Sequence, residues 1–196
     1  MKELSTDQAL FLYLNENHSV FFDWLMSLAS NMFISIPIYL VVIFAFLRIL
    51  KLLNPSYFIT NTTLIFLSLG FLLLICVGLL PSIFPHIINR VKPCYDVDIS
   101  SSIRVLGDEC QDRYGFYAFR ACTVFAVSTY LWFALNGALK WVRIFLICWA
   151  LVVCYSRVYL GAHYPMNILV SALSGMLIGY IIFRFYHYVK DSVLVV

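Results

Sequence analysis

Five apolar runs, at residues 33–50, 64–80, 116–139, 141–155 and 166–185, leave this chain few ways to fold. Each approaches the roughly 20 residues a helix needs to cross about 30 Å of hydrocarbon. Composition agrees: 63% of residues are hydrophobic and 12% charged, where soluble domains sit near half apolar and a quarter charged. Only helices and closed barrels satisfy the backbone inside a bilayer, and runs this long are helical. The expected fold is an all-α integral membrane protein: about five transmembrane helices in one bundle, six if the N-terminal helix inserts.

The N-terminal segment reads differently. Glu3, Asp7 and Glu16 outweigh Lys2, so the start lacks the basic-then-apolar order of a cleavable signal. Leu10, Phe11, Leu14, Phe21, Phe22 and Leu25 recur at helical spacing. Residues 6–30 are therefore expected to form an amphipathic helix on the membrane, either lying on it or re-entrant. The division is residues 1–32 as an amphipathic membrane-associated segment and residues 33–196 as the transmembrane domain.

Arg48, Lys51, Lys140, Arg143, Arg184 and Lys190 flank the runs on one side. Placing them in the cytoplasm puts the acidic N-terminus and a long loop, residues 81–113, outside. A net charge of +3 with no basic run argues against nucleic acid as a partner. Cys76, Cys122, Cys148 and Cys154 lie in spans and read as small apolar packing residues. Cys94 and Cys110 lie in the outer loop; they either close a disulfide, which an oxidising compartment favours, or stay as free thiols. Ser171, Gly175 and Gly179, four apart, are expected to let two helices of the bundle approach closely.

Chemistry concentrates at residues 156–167. Arg157 ends the fourth run, and His163, Pro165 and Asn167 lead into the fifth. Pro165 suits a first helical turn, whose exposed N–H groups favour an anion. An arginine, a histidine and a helix start brought together predict a phosphate site. No cluster of metal ligands is visible.

The stretch Ser156-Arg157-Val158-Tyr159-Leu160-Gly161-Ala162-His163, followed four residues later by Asn167, resembles the third signature of the type 2 phosphatidic acid phosphatase family, the lipid phosphatase and haloperoxidase-like group. That signature is Ser-Arg-x-x-x-Gly-x-His-x-x-x-Asp, and its last position is Asn167 here. The first signature ends in Arg-Pro; its best register here ends at Lys92-Pro93, lysine replacing the arginine, with Pro85 where a lysine is expected. Tyr114-Gly115-Phe116 resembles the anchor of the second signature and puts Arg120 in its histidine slot; a shifted register offers Tyr117.

The resemblance implies a degenerate member. His163 would be the candidate nucleophile, with Asn167 standing for the aspartate that orients it. Lys92, Arg120 and Arg157 would grip phosphate. Arg120 has a second reading, in which it snorkels or pairs with an acid of residues 96–112. His86 is a further candidate for the missing acid. Arginine carries its proton at any physiological pH, so Arg120 cannot protonate a leaving alkoxide. The clamp survives where proton-transfer groups do not, which implies binding of a phosphorylated lipid with catalysis lost or much reduced. An active phosphatase using His163 and a structural subunit bound to another membrane protein are the alternatives. No cofactor is implied. The expected location is the bacterial cytoplasmic membrane, with the pocket facing outward.

Overall fold

The computed structural model describes residues 4–53, 55–107, 113–135 and 139–194. Their regular elements are helices: α1 (Thr6–Glu16), α2 (Val20–Ser30), α3 (Met32–Leu53), α4 (Phe58–Leu73), α5 (Leu80–Ile87), α6 (Phe119–Ala134), α7 (Lys140–Tyr159) and α8 (Pro165–Leu194). Among the described residues four stretches are long and apolar enough to cross a membrane: Phe33–Leu52, Pro55–Phe84, Lys140–Tyr159 and Pro165–Val193. The protein is thus an all-α integral membrane protein. The second stretch joins α4 to α5 through a π-helical turn, Leu74–Leu79. Pro81 explains it, since a proline has no N–H to give Val77 and its ring crowds that carbonyl.

The 16-residue helix α6 is shorter than the usual span, and ten of its residues, including Cys122, Ala126 and Tyr130, are buried. A helix apolar on all sides belongs inside a bundle. The small residues of α8 supply the closest contact. A Cβ on Gly175 would stand 2.2 Å from the Cys122 carbonyl oxygen, and one on Gly179 would stand 2.3 Å from that of Ala126. Ser171 Oγ accepts the Ala118 N–H at 2.9 Å, tying the start of α6 to α8. The stripe at Ser171, Gly175 and Gly179 is therefore the α6–α8 seam. Ser68 and Tyr130 hydroxyls meet at 2.6 Å and join α4 to α6.

The N-terminal segment departs from expectation: residues 6–30 form two helices. Ser19 breaks the run, its hydroxyl accepting the Phe22 N–H at 3.3 Å to start α2. The segment is anchored by polar contacts. Buried Asn15 donates to the Arg104 and Tyr159 carbonyls at 2.9 and 3.0 Å and accepts the Arg104 N–H at 2.8 Å. Asp23 of α2 takes a two-pronged ion pair from Arg104 at 2.7 and 2.6 Å, and the Tyr159 hydroxyl at 2.6 Å. These donors hold the Asp23 carboxyl down at about 2. Val20, Phe21, Phe22 and Trp24 remain exposed.

The long loop begins later than expected, because α5 carries the chain to Ile87. An antiparallel bridge, Val91 to Tyr114, then joins its two ends. Lys92 N–H reaches the Arg113 carbonyl at 3.0 Å, and Gly115 N–H reaches that of Arg90 at 3.1 Å. This pairing delivers Lys92 and Gly115 to one place beside the start of α8.

Candidate functional site

Two arginines meet at the end of α2. Arg157 sits in the last turn of α7 with only 4% of its surface exposed, and Arg120 sits in the first turn of α6. Both donate through Nη1 to Ser30 Oγ, Arg120 at 2.9 Å and Arg157 over a shorter bond. Arg120 Nη1 also reaches the Ser30 carbonyl at 2.9 Å. The chemistry is local: the last carbonyls of a helix lack N–H partners, and its C-terminus carries partial negative charge that favours a cation. Ser30 is itself 4% exposed, so the guanidinium pair is fixed by a buried hydroxyl.

A second cluster forms around the Gly115 carbonyl. His163 Nδ1 lies 3.0 Å from that oxygen and Asn167 Nδ2 lies 3.3 Å from it. A carbonyl only accepts, so Nδ1 carries the proton, and a neutral ring then has its lone pair on Nε2. The Asn167 Oδ1 is taken by Arg90 Nη1 at 2.7 Å. Arg90 also pairs with Asp7 and stacks over the Tyr164 ring at 4.4 Å. Asp7 in turn accepts the Met166 N–H at 3.0 Å, so α1 supplies the side-chain cap for α8. The Tyr164 hydroxyl donates to Asp96; burial and this carboxylate push the phenol up.

Lys92 enters from the loop. A Cβ on Gly115 would stand 2.6 Å from Lys92 Cε, so the lysine stem lies directly over this glycine. Cys94 is disulfide-bonded; Cys110 lies outside the described residues, as does the side chain of His86. Among the described residues no group of three or more His, Cys, Asp or Glu side chains is arranged to hold a metal ion.

Two cavities meet at Ser30 and Arg120. One of about 630 Å³ is lined by Ser27, Ser30, Asn31, Gly107, Arg120 and their neighbours. The other, about 570 Å³, runs between α3, α4 and α6 past Tyr39, Ile43, Leu69 and Val127. Ser30, Val77, Phe119 and Arg120 line both.

The residues singled out from sequence thus fall into two neighbouring sets. Arg120 and Arg157 share Ser30, while Lys92, His163 and Asn167 gather at Gly115. In the sequence reading Asn167 stands where an orienting aspartate would hold His163. In the fold its amide is shared between the Gly115 carbonyl and Arg90. Ser30, Arg90, Asp7 and the Gly115 carbonyl were not legible as site groups. Ser30 lies 127 residues from Arg157 and Asp7 lies 83 from Arg90, and neither carries a motif. Gly115 had one signal, its place in the Tyr-Gly-Phe anchor.

A helical membrane bundle with arginine, histidine and lysine gathered where two spans meet a paired loop has the architecture of the PAP2 superfamily, and this chain belongs to that superfamily: its family model matches residues 63–191. The chain is 25% identical over 182 residues to the lipid A 4'-phosphatase of Bacteroides thetaiotaomicron, covering 92% of this chain and 77% of that protein. The crystal structure of Aquifex aeolicus LpxE shares the fold, with a TM-score of 0.60 at 18% identity, covering 94% of this chain and 98% of that one. The fold is therefore that of a lipid phosphatase.

Proposed function

We propose that the protein binds the phosphate of a phosphorylated lipid at the outer face of the bacterial cytoplasmic membrane and hydrolyses it slowly or not at all. The observation that carries this reading is the convergence of Arg120 and Arg157 on Ser30. The resemblance places Arg120 where the family keeps a histidine that protonates the leaving alkoxide. A guanidinium with a pKa above about 12 holds its proton there, and loss of a general acid typically costs about 10²–10⁴-fold in rate. What Arg120 contributes instead is permanent charge and a planar fork of donors, suited to phosphate oxygens. Lys92 adds a point charge beside His163. In this reading residues 1–32 lie on the membrane over the pocket, with Phe21, Phe22 and Trp24 facing lipid.

The Bacteroides thetaiotaomicron relative acts, by its name, on lipid A, so a lipid with a phosphorylated headgroup is the substrate class to test first. The apolar cleft continuing from Arg120 between α3 and α4 suits the hydrocarbon part of such a molecule.

One observation favours an active enzyme. His163 is held by a carbonyl in the tautomer whose Nε2 carries the lone pair that attack on phosphorus requires. The ester P–O bond would then break, the alkoxide would take a proton from water, and a second water would release phosphate from the histidine.

The deciding experiment measures lipid binding and inorganic phosphate release by the purified protein, beside Arg157→Ala and His163→Ala. Binding lost in Arg157→Ala, with no release by the wild type, is expected. Release that His163→Ala abolishes would overturn the binding-only reading. Absence of both, with stable co-purification of another membrane protein, would point to a structural subunit.

A further inference from the structure

Resting on the lipid-phosphate reading above, we infer that the cleft between α3, α4 and α6 seats one acyl chain of the bound lipid, and that Gly70 sets how long a chain it takes. Two stripes at helical spacing line the cleft: Ile36, Leu40 and Ile43 on α3, and Phe66, Gly70 and Leu73 on α4. Ile36, Leu40, Phe66 and Leu73 are exposed on the flanks of two spans, so the cleft opens sideways, where the bilayer lies. The charged residue of its lining, Arg120, stands with Ser30 at the end shared with the 630 Å³ cavity. Farther along, the hydroxyls of Tyr39 and Thr123 are turned to the Val124 and Phe119 carbonyls. The shape and chemistry ask for an occupant with a long apolar body and one polar end.

Its dimensions match a single chain. Val77 lines the shared end and Phe66 the far end, a helical rise of about 16 Å. The hydrocarbon of one leaflet is about 15 Å deep, half of the roughly 30 Å core. The volume, about 570 Å³, lies inside the range of about 300–1,000 Å³ usual for ligand pockets. Gly70 leaves a notch in the wall, about 10 Å from Val77 along the helix. A Cβ there would meet nothing within 4 Å, whereas at Gly175 and Gly179 it would strike backbone oxygens. Close helix packing therefore accounts for those two glycines and not for Gly70, a residue type that forms helix poorly. A chain entering from the bilayer leaves one apolar environment for another, so burial alone attracts it little. The cleft must select by exclusion, and the size of residue 70 decides which chains pass.

The test measures affinity of the detergent-solubilised full chain for dipalmitoyl and dihexanoyl phosphatidic acid, which share a headgroup and differ in chain length. Wild type is compared with Gly70→Ala, Gly70→Leu and Leu40→Trp, the last narrowing the cleft from α3, and ligand-free melting temperatures are recorded for each. Gly70→Leu is expected to weaken binding of the long-chain lipid roughly tenfold or more, the size of an overpacked contact. Affinity for the short-chain lipid, whose tails end before residue 70, should stay unchanged. Leu40→Trp should act in the same direction, and Gly70→Ala should alter neither affinity by more than a few-fold. Unchanged long-chain binding in both Gly70→Leu and Leu40→Trp would overturn the assignment, leave the cleft to bulk lipid, and leave the headgroup reading intact. Equal losses for both chain lengths would overturn it too, because the effect would then lie at the headgroup. No binding of either lipid by wild type would overturn the phosphate reading itself.

Discussion

Arg90 Nη1 donates to Asn167 Oδ1 at 2.7 Å, turning the amide so that its NH₂ faces the Gly115 carbonyl. Asn167 is thus held by a cation, and that cation is neutralised by Asp7 of α1. Because a backbone carbonyl already holds His163 Nδ1–H, an acid at position 167 should matter less than a proton donor at position 120. Asn167→Asp alone is expected to change phosphate release from phosphatidic acid by only a few-fold. Arg120→His should raise it by about 10²–10⁴-fold, the usual worth of a general acid. Colorimetric phosphate assays on the two single variants and the double variant separate the contributions. A larger gain from Asn167→Asp than from Arg120→His would show that the carbonyl does not do the carboxylate's work.

Removing Arg90 tests the same network from the other side. Asn167 is fully buried, and Arg90→Ala would leave its Oδ1 without a donor, a loss of about 1–3 kcal/mol. Asp7→Ala would also uncap α8 at Met166, worth about 0.5–2 kcal/mol. The two losses should not add, because both act through one chain of bonds. Thermal unfolding of the singles and the double in the same detergent reads this directly.

At its two glycines the α6–α8 seam should tolerate no side chain. A Cβ at Gly175 would stand 2.2 Å from a backbone oxygen, which cannot swing aside as a flexible side chain can. Gly175→Ala is expected to cost about 1–3 kcal/mol or more, the range for overpacking a tight contact, and Gly175→Leu to prevent folding. At Gly70 a Cβ would meet nothing within 4 Å, so Gly70→Ala should melt at the wild-type temperature. Melting curves of the three variants check the contrast.

The docking of α2 should depend on acid. Arg104 and Tyr159 lower the Asp23 carboxyl from 3.8 to about 2. A group depressed in the folded state stabilises it fully above its ordinary value, and that stabilisation fades as pH falls through the folded one. Docking is therefore expected to be constant above about pH 4 and to weaken between there and pH 2. Fluorescence of Trp24, with Trp132, Trp141 and Trp149 replaced by Phe, should report the change. In Asp23→Asn the signal should be flat over that window.

Much of the molecule could be read before any fold was known. Hydrocarbon is a simple solvent whose demand for satisfied backbone is met residue by residue, so apolar length alone announced a helical membrane bundle. The four-residue spacing of Ser171, Gly175 and Gly179 likewise carried its meaning locally, because a helix repeats every 3.6 residues. Arg157, His163 and Asn167 were legible because one helix end and one helix start bring them close along the chain. The break at Ser19 was less visible, since apolar residues keep helical spacing on both sides of it.

Only the tertiary structure could decide which groups meet. Ser30 reaches Arg120 and Arg157 because α2 ends where α6 begins and α7 ends, and no pattern encodes a contact across 90 or 127 residues. The orienting partner of His163 is a backbone carbonyl, a group every residue possesses, so composition cannot mark it. Asp7 looked like one acid in a surface segment, yet the fold makes it both the cap of α8 and the counter-ion of Arg90. Hydrophobic length is a property of a segment and is written in the segment. A hydrogen bond is a property of two positions in space, and distant positions are joined only when the whole chain has packed.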